Sequence, residues 1–253
     1  MNEVVHLRSA IVGLLGFAAV EEELLLAAIT GAPPENGSPQ RWAALPLVAH
    51  NTEFKLQQVE RLEAISQGRT PPSFGEIDHL SANVYRHYSQ QSSGAVARES
   101  RRTLGALLAA LEAISAEDLL DPSRHPWLQG RHLWLQIIVR GFWHPTGHLG
   151  DYYLSHERSD RALALQAHAV AVCDYLGAPD PACGMAHYNL ACTQARADLG
   201  DAAMETLARA IQLNPDLTAN VARDADLDGL RADGRLEILL GSVGGSRHGR
   251  APR

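Results

Sequence analysis

A chain of 253 residues, 45% of them hydrophobic, can bury one large core or two modest ones. It carries 22 basic against 29 acidic residues, a net charge of −7, and setting aside the tail from Ser242, with Arg247, Arg250 and Arg253, leaves −10 on the body. A surface of that sign repels phosphate backbones, which argues against nucleic-acid binding, and unperiodic glycine and proline exclude collagen-like or low-complexity character.

Apolar residues recur at helical spacing from Val4 to Ile29, through Leu7, Ile11, Leu14, Leu15, Ala18 and Leu25. The apolar run inside this helix, Ile11 to Val20, is only ten residues long and meets Glu21-Glu22-Glu23. It is too short to span a bilayer and lacks a leader's cleavage signature, so no membrane association is expected. Gly31-Ala32-Pro33-Pro34 ends the helix. A second helix is expected from Arg41 to Ser66, with His50 and Phe54 on one face, and Gly68 and Pro71-Pro72 after it. A short helix is expected over Ile77–Tyr88, and a longer one over Val96–Ile114 beyond the Ser92-Ser93-Gly94 break. Ser115-Ala116-Glu117-Asp118 has the form of a helix N-cap with an acid three residues on.

The next helix is expected to start near Gly130 and to carry Leu133, Leu135, Ile137, Ile138, Phe142 and Trp143, then His144-Pro145-Thr146-Gly147-His148. Proline in a helix interior removes a donor and crowds the carbonyl four residues back, here that of Gly141. A kink or π-type irregularity between Gly141 and Pro145 is one solution; a new helix capped by His144 is the other. Either lets His144 and His148, four residues apart, face one cavity. Two imidazoles at this spacing can grip one metal ion, and His50 offers a third. Three nitrogen ligands leave a position for water or substrate, as catalytic sites do. With 12 histidines in the chain, one such pair is nearly expected by chance, so spacing alone does not carry the assignment. No alternating strand pattern occurs; the fold class is expected to be all-α.

His50 on a second helix, the segment Ser115-Ala116-Glu117-Asp118-Leu119-Leu120-Asp121-Pro122, and Trp143-His144-Pro145-Thr146-Gly147-His148 on a fourth helix together resemble the DinB-like superfamily over residues 1–157. That resemblance implies a four-helix bundle with a crossover connection, in which His50, His144 and His148 hold a divalent metal, zinc or nickel. It also implies a thiol-dependent transferase or isomerase acting on a small-molecule substrate, with mycothiol as a candidate co-substrate in GC-rich bacteria. Lys55, the only lysine against 21 arginines, fits a GC-rich genome.

Three further polar residues lie at helical spacing from these histidines. Glu53 shares a face with His50 and is the candidate catalytic base, or else a solvated neighbour. Asp151 and Tyr152 follow His148 by three and four positions, so that either is placed to orient an imidazole. His79, His87, His125, His132, His156, His168 and His187 lack matching spacing and are read as ordinary histidines.

Residues 158–241 carry a different signature. Leu190, Ala191, Ala203, Leu207, Ala210 and Pro215 stand at intervals of 1, 12, 4, 3 and 5, resembling a tetratricopeptide repeat, though His187 and Gln194 depart from its aromatic positions. Ala169, Cys173, Leu176 and Pro181 repeat four of those places 34 residues earlier, without a matching first half. Asp224–Arg231 and Leu236–Leu240 resemble the closing segment of such repeats. One and a half repeats make no long groove, so the segment is expected to pack on the bundle, to meet a second copy in a homodimer, or to take a protein partner. Cys173, Cys183 and Cys192 form neither a disulfide framework nor a thiolate metal motif, which together with the absent leader points to the cytoplasm. The tail 242–253 is expected to be disordered. Two functions follow: a metal-dependent enzyme acting on a small molecule, or a non-catalytic interaction module whose metal site is vestigial.

Overall fold

The computed structural model describes residues 2–32, 35, 37, 41–74 and 91–245, and among these it is all-α, with no strand. Helix α1 (Asn2–Ala28) and α2 (Ala44–Ser66) come first. The helix expected over Ile77–Tyr88, with His79 and His87, and residues 246–253 of the expected tail fall outside the described residues, whereas residues 242–245 of that tail are helical and not disordered. α3 (Ser93–Ala113) follows, then the single helical turn Ala116–Leu120. The long α4 is continuous through three segments: α-helical Leu133–Ile138, π-helical Val139–Trp143 and α-helical His144–Ser155. α5 (Ser159–Tyr175), α6 (Asp180–Arg196) and α7 (Gly200–Leu213) form the C-terminal layer, closed by short turns and α8 (Arg235–Gly245). No helix among the described residues is long and apolar enough to cross a membrane.

The helix boundaries have local causes. α2 begins at Ala44, three residues later than the sequence suggested, because the Glu35 carboxylate accepts the Ala44 N–H at 2.8 Å and Pro46 then sits in the first turn, where no N–H is needed. Ser92 caps α3 by accepting from the Ala95 N–H at 3.2 Å. Ser115 does the same for the Asp118 N–H at 2.9 Å. Arg8 of α1 donates to the carbonyls of Leu111 and Ile114, satisfying the end of α3.

The π-helical turn settles how α4 accommodates Pro145. His144 has helical φ and ψ of −62° and −48° and donates its N–H five residues back, to Val139, so the helix bulges but does not restart. The Thr146 hydroxyl donates to the carbonyls of Phe142 and Trp143 at 2.9 and 3.1 Å, closing the distorted turn. Gly141 is required here for closeness: a Cβ on it would lie 2.4 Å from Leu15 Cδ2 of α1.

The larger core joins Leu7, Ile11, Leu14 and Leu15 of α1 to Leu107 and Leu111 of α3 and to Ile137, Ile138 and Phe142 of α4. It runs on without a break into Ala169 and Cys173 of α5, Ala191 of α6 and Leu207 of α7. A smaller core unites Leu25, Val48, Leu149 and Tyr152 with Ala162 and Leu165 of α5. α6 and α7 form a tight hairpin: Ala191, Ala203, Leu207 and Ala210 are fully buried, and a Cβ on Gly184 would lie 2.6 Å from Asn214 Cβ.

Candidate metal centre

His50 stands in the second turn of α2, a helix anchored at its start by Glu35, whose other carboxylate oxygen accepts the Tyr152 hydroxyl of α4. One glutamate thus ties together the two helices that carry the histidines. The π-helical turn ends where His144 begins, and His148 follows one α-helical turn later.

The three imidazoles converge. Each offers one nitrogen such that all three atoms lie within 4.8 Å of one another, and His50 Nε2 is 3.1 Å from His144 Nε2. The rings of His144 and His148 are 4.3 Å apart and nearly perpendicular, at 86°. His50 is buried; His144 and His148 are partly open to a cavity. Apolar rings surround the group: Phe54 stacks on His144 at 4.4 Å, and Trp42 lies 4.8 Å from His50. His50 Nδ1 is buried without a hydrogen-bond partner.

Electrostatics keep the imidazoles neutral. Burial lowers the His50 pKa to about 3, helped by His148 and by the Arg140 charge. Burial likewise pushes His144 well down, with His148, His50, Arg140 and Lys55 adding to the effect. His148 is lowered by burial, opposed by Asp151. Neutral imidazoles present free lone pairs, the form that metal binding needs. Three such nitrogens, with no thiolate or carboxylate in the group, could hold a metal ion.

The site opens on a cavity of about 420 Å³ between α4 and the C-terminal layer, walled by His144, His148, Gln166, Asn189, Arg196 and Asp224 among others. A second cavity of about 410 Å³ shares His148, Asp151, Arg196 and Asp226 with it. Arg196 of α6 stands between the two, paired with Asp151 of α4 and, at 3.5 Å, with Asp226. The C-terminal layer therefore builds one wall of the histidine site.

Glu53 is half-buried, and its carboxyl is raised by burial; its neighbours are Gln57, Glu60 and Glu99, while the charges acting on the histidines come from Arg140, Lys55 and Asp151. Tyr152 turns its hydroxyl to Glu35, and Asp151 turns its carboxylate to Arg196. His125 is buried, 3.1 Å from the Asp118 carbonyl and away from the group.

Sequence reading missed the fully buried ion pair Lys55–Glu22, at 2.6 Å, whose ammonium acts on His144. It also missed Arg140 and Arg196. For Lys55 and for the arginines no local pattern exists, because their positions depend on tertiary packing.

No family model matches this chain, and no curated protein or solved structure matches it.

Proposed function

We propose that the chain is a divalent-metal-dependent enzyme acting on a small molecule, with His50, His144 and His148 as the ligands. The observation that carries this reading is the convergence of three neutral imidazole nitrogens within 4.8 Å beside a cavity of about 420 Å³. Zinc or nickel is the ion we propose, and a low-molecular-weight thiol such as mycothiol the co-substrate, in keeping with the DinB-like resemblance. When bound, the ion would act as a Lewis acid and lower the pKa of a thiol or water held at its open position.

The protein's own groups prepare that chemistry. Burial of His50 among Trp42 and Phe54 excludes water from the inner side of the group and holds all three imidazoles unprotonated at neutral pH. Asp151 lies one turn from His148 and favours its charged form, which makes it a candidate carboxylate alongside Glu53. Cobalt titration of the metal-free protein tests the reading. Visible absorption bands of low-coordinate cobalt should rise to an end point of one ion per chain and vanish in His144→Ala. Absence of a stoichiometric end point would refute it.

A further inference from the structure

The cavity beside the histidines has a wall whose hydrogen-bonding capacity is one-sided. Gln166 of α5 is 1% exposed, and its Nε2 donates to the Thr146 carbonyl of α4 at 2.8 Å, which fixes the orientation of the amide. Its Oε1 is buried and accepts no hydrogen bond, although the helices packed around it, α4, α5 and α6, are described throughout. Other buried side chains, Asn51 and Gln58 of α2 among them, also hold unpartnered polar atoms. Among the described residues, only Gln166 carries one on a side chain that lines this cavity. Two glycines flanking His148 let the wall come close. A Cβ on Gly150 would lie 2.6 Å from Gln166 Nε2 and 3.7 Å from Thr193 Oγ1, and one on Gly147 would lie 3.3 Å from Asn189 Nδ2.

Most donors on this wall are spent within the protein. Asn189 donates to the Trp143 carbonyl at 3.2 Å, the Thr193 hydroxyl to the Asn189 carbonyl at 2.9 Å, and Trp143 Nε1 to the Met185 carbonyl at 3.0 Å. The Tyr188 hydroxyl and the Cys192 thiol both turn to Asp224, and Arg196 turns to Asp151 and Asp226. What is left over accepts: Gln166 Oε1, the lone pairs of the Thr193 hydroxyl, and three carboxylates against the guanidinium groups of Arg196 and Arg223. A buried acceptor without a donor is costly, and a ligand that supplies the donor removes that cost. An anion brings only further acceptors.

We propose that this cavity receives its small molecule through an N–H group, amide or amine, which donates to Gln166 Oε1 beside Thr193, while the rest of the molecule lies toward His144 and His148. This deepens the proposed function and rests on it for the word substrate, whereas the N–H site itself stands on the cavity and Gln166. At about 420 Å³ the cavity has room for a metabolite-sized ligand, and Trp143 and Tyr188 offer it ring surfaces. Recognition by a buried acceptor discriminates strongly against an analogue that lacks the donor.

The test uses the full chain, metal-free and zinc-loaded, titrated calorimetrically with benzamide, benzylamine and benzoate, which share one body and differ in donor and charge. Benzamide or benzylamine should bind one to one in the metal-free chain, with benzoate at least about tenfold weaker, and the tighter of the two tells amide from ammonium. Gln166→Met, which keeps the bulk and removes the acceptor, should weaken that ligand by about fivefold or more. Thr193→Val, a milder change that keeps the branched shape, guards against loss of fold and should weaken it by about twofold or more. Gln58→Met, at a buried amide that does not line the cavity, should leave it unchanged. The proposal is overturned by benzoate binding as tightly as the better N–H ligand, or by no saturable binding of either N–H ligand. Unchanged affinity in both Gln166→Met and Thr193→Val, or an equal loss in Gln58→Met, would overturn it as well. If zinc is not retained but Gln166-dependent binding stands, the metal reading alone fails.

Discussion

His50 shows how a single burial event sets both chemistry and pH response. Its folded pKa of about 3 lies below the ordinary 6.5, so below pH 6.5 the unfolded chain takes up a proton that the folded chain refuses. The metal-free protein should therefore lose stability as pH falls from 6.5 toward 3, and lose none of this kind above 6.5. At pH 5 the His50 share amounts to at most about 2 kcal/mol, at 1.36 kcal/mol per pKa unit. Denaturant titrations of His50→Phe, whose ring suits the Trp42 and Phe54 surroundings, should show a flatter pH dependence over that window than wild type. A variant as acid-sensitive as wild type would mean that His50 is not the buried neutral group described.

At the scale of elements, the α1–α4 contact depends on Gly141, and replacing it tests the π-helical turn. A methyl at that position meets Leu15 Cδ2 at 2.4 Å and Cγ at 2.9 Å in a part of the core with no spare room, so Gly141→Ala should cost about 1–3 kcal/mol in urea unfolding. A loss under about 0.5 kcal/mol would show that α1 yields easily. Gly184→Ala should do comparable damage to the α6–α7 hairpin, since its methyl meets backbone (Ala210 O at 3.0 Å, Asn214 N at 3.0 Å) that cannot rotate away. Much at this scale was legible in the sequence. Helical periodicity gave all-α, Ser115 marked a helix start, and Pro145 four residues after Gly141 announced an irregularity at the histidine pair, whereas Ser92, expected to break the chain before Val96, instead caps α3. The start of α2 was misjudged because its cap is Glu35, nine residues away, and no local pattern encodes a cap delivered by a loop.

At the scale of the whole molecule, the helices of the bundle and of the C-terminal layer share their cores, with Leu15, Phe142, Ala169 and Leu207 in one cluster. Calorimetry should therefore show one cooperative transition, and two independent transitions would mean that the layers fold separately. The site is likewise a product of the whole fold. His144 and His148 announced themselves by spacing, with His50 as the upstream imidazole that could join them, but the facing wall, with Arg196 reaching across to Asp151, comes from residues distant in sequence. The decisive measurement is elemental analysis of the full chain purified without a histidine tag, alongside His148→Ala and His168→Ala, the latter exposed and apart from the group. The account predicts about one zinc or nickel ion per wild-type chain, about one in His168→Ala, and at least a tenfold loss in a still-folded His148→Ala. Metal absent from the wild type, or lost equally from both variants, would contradict it.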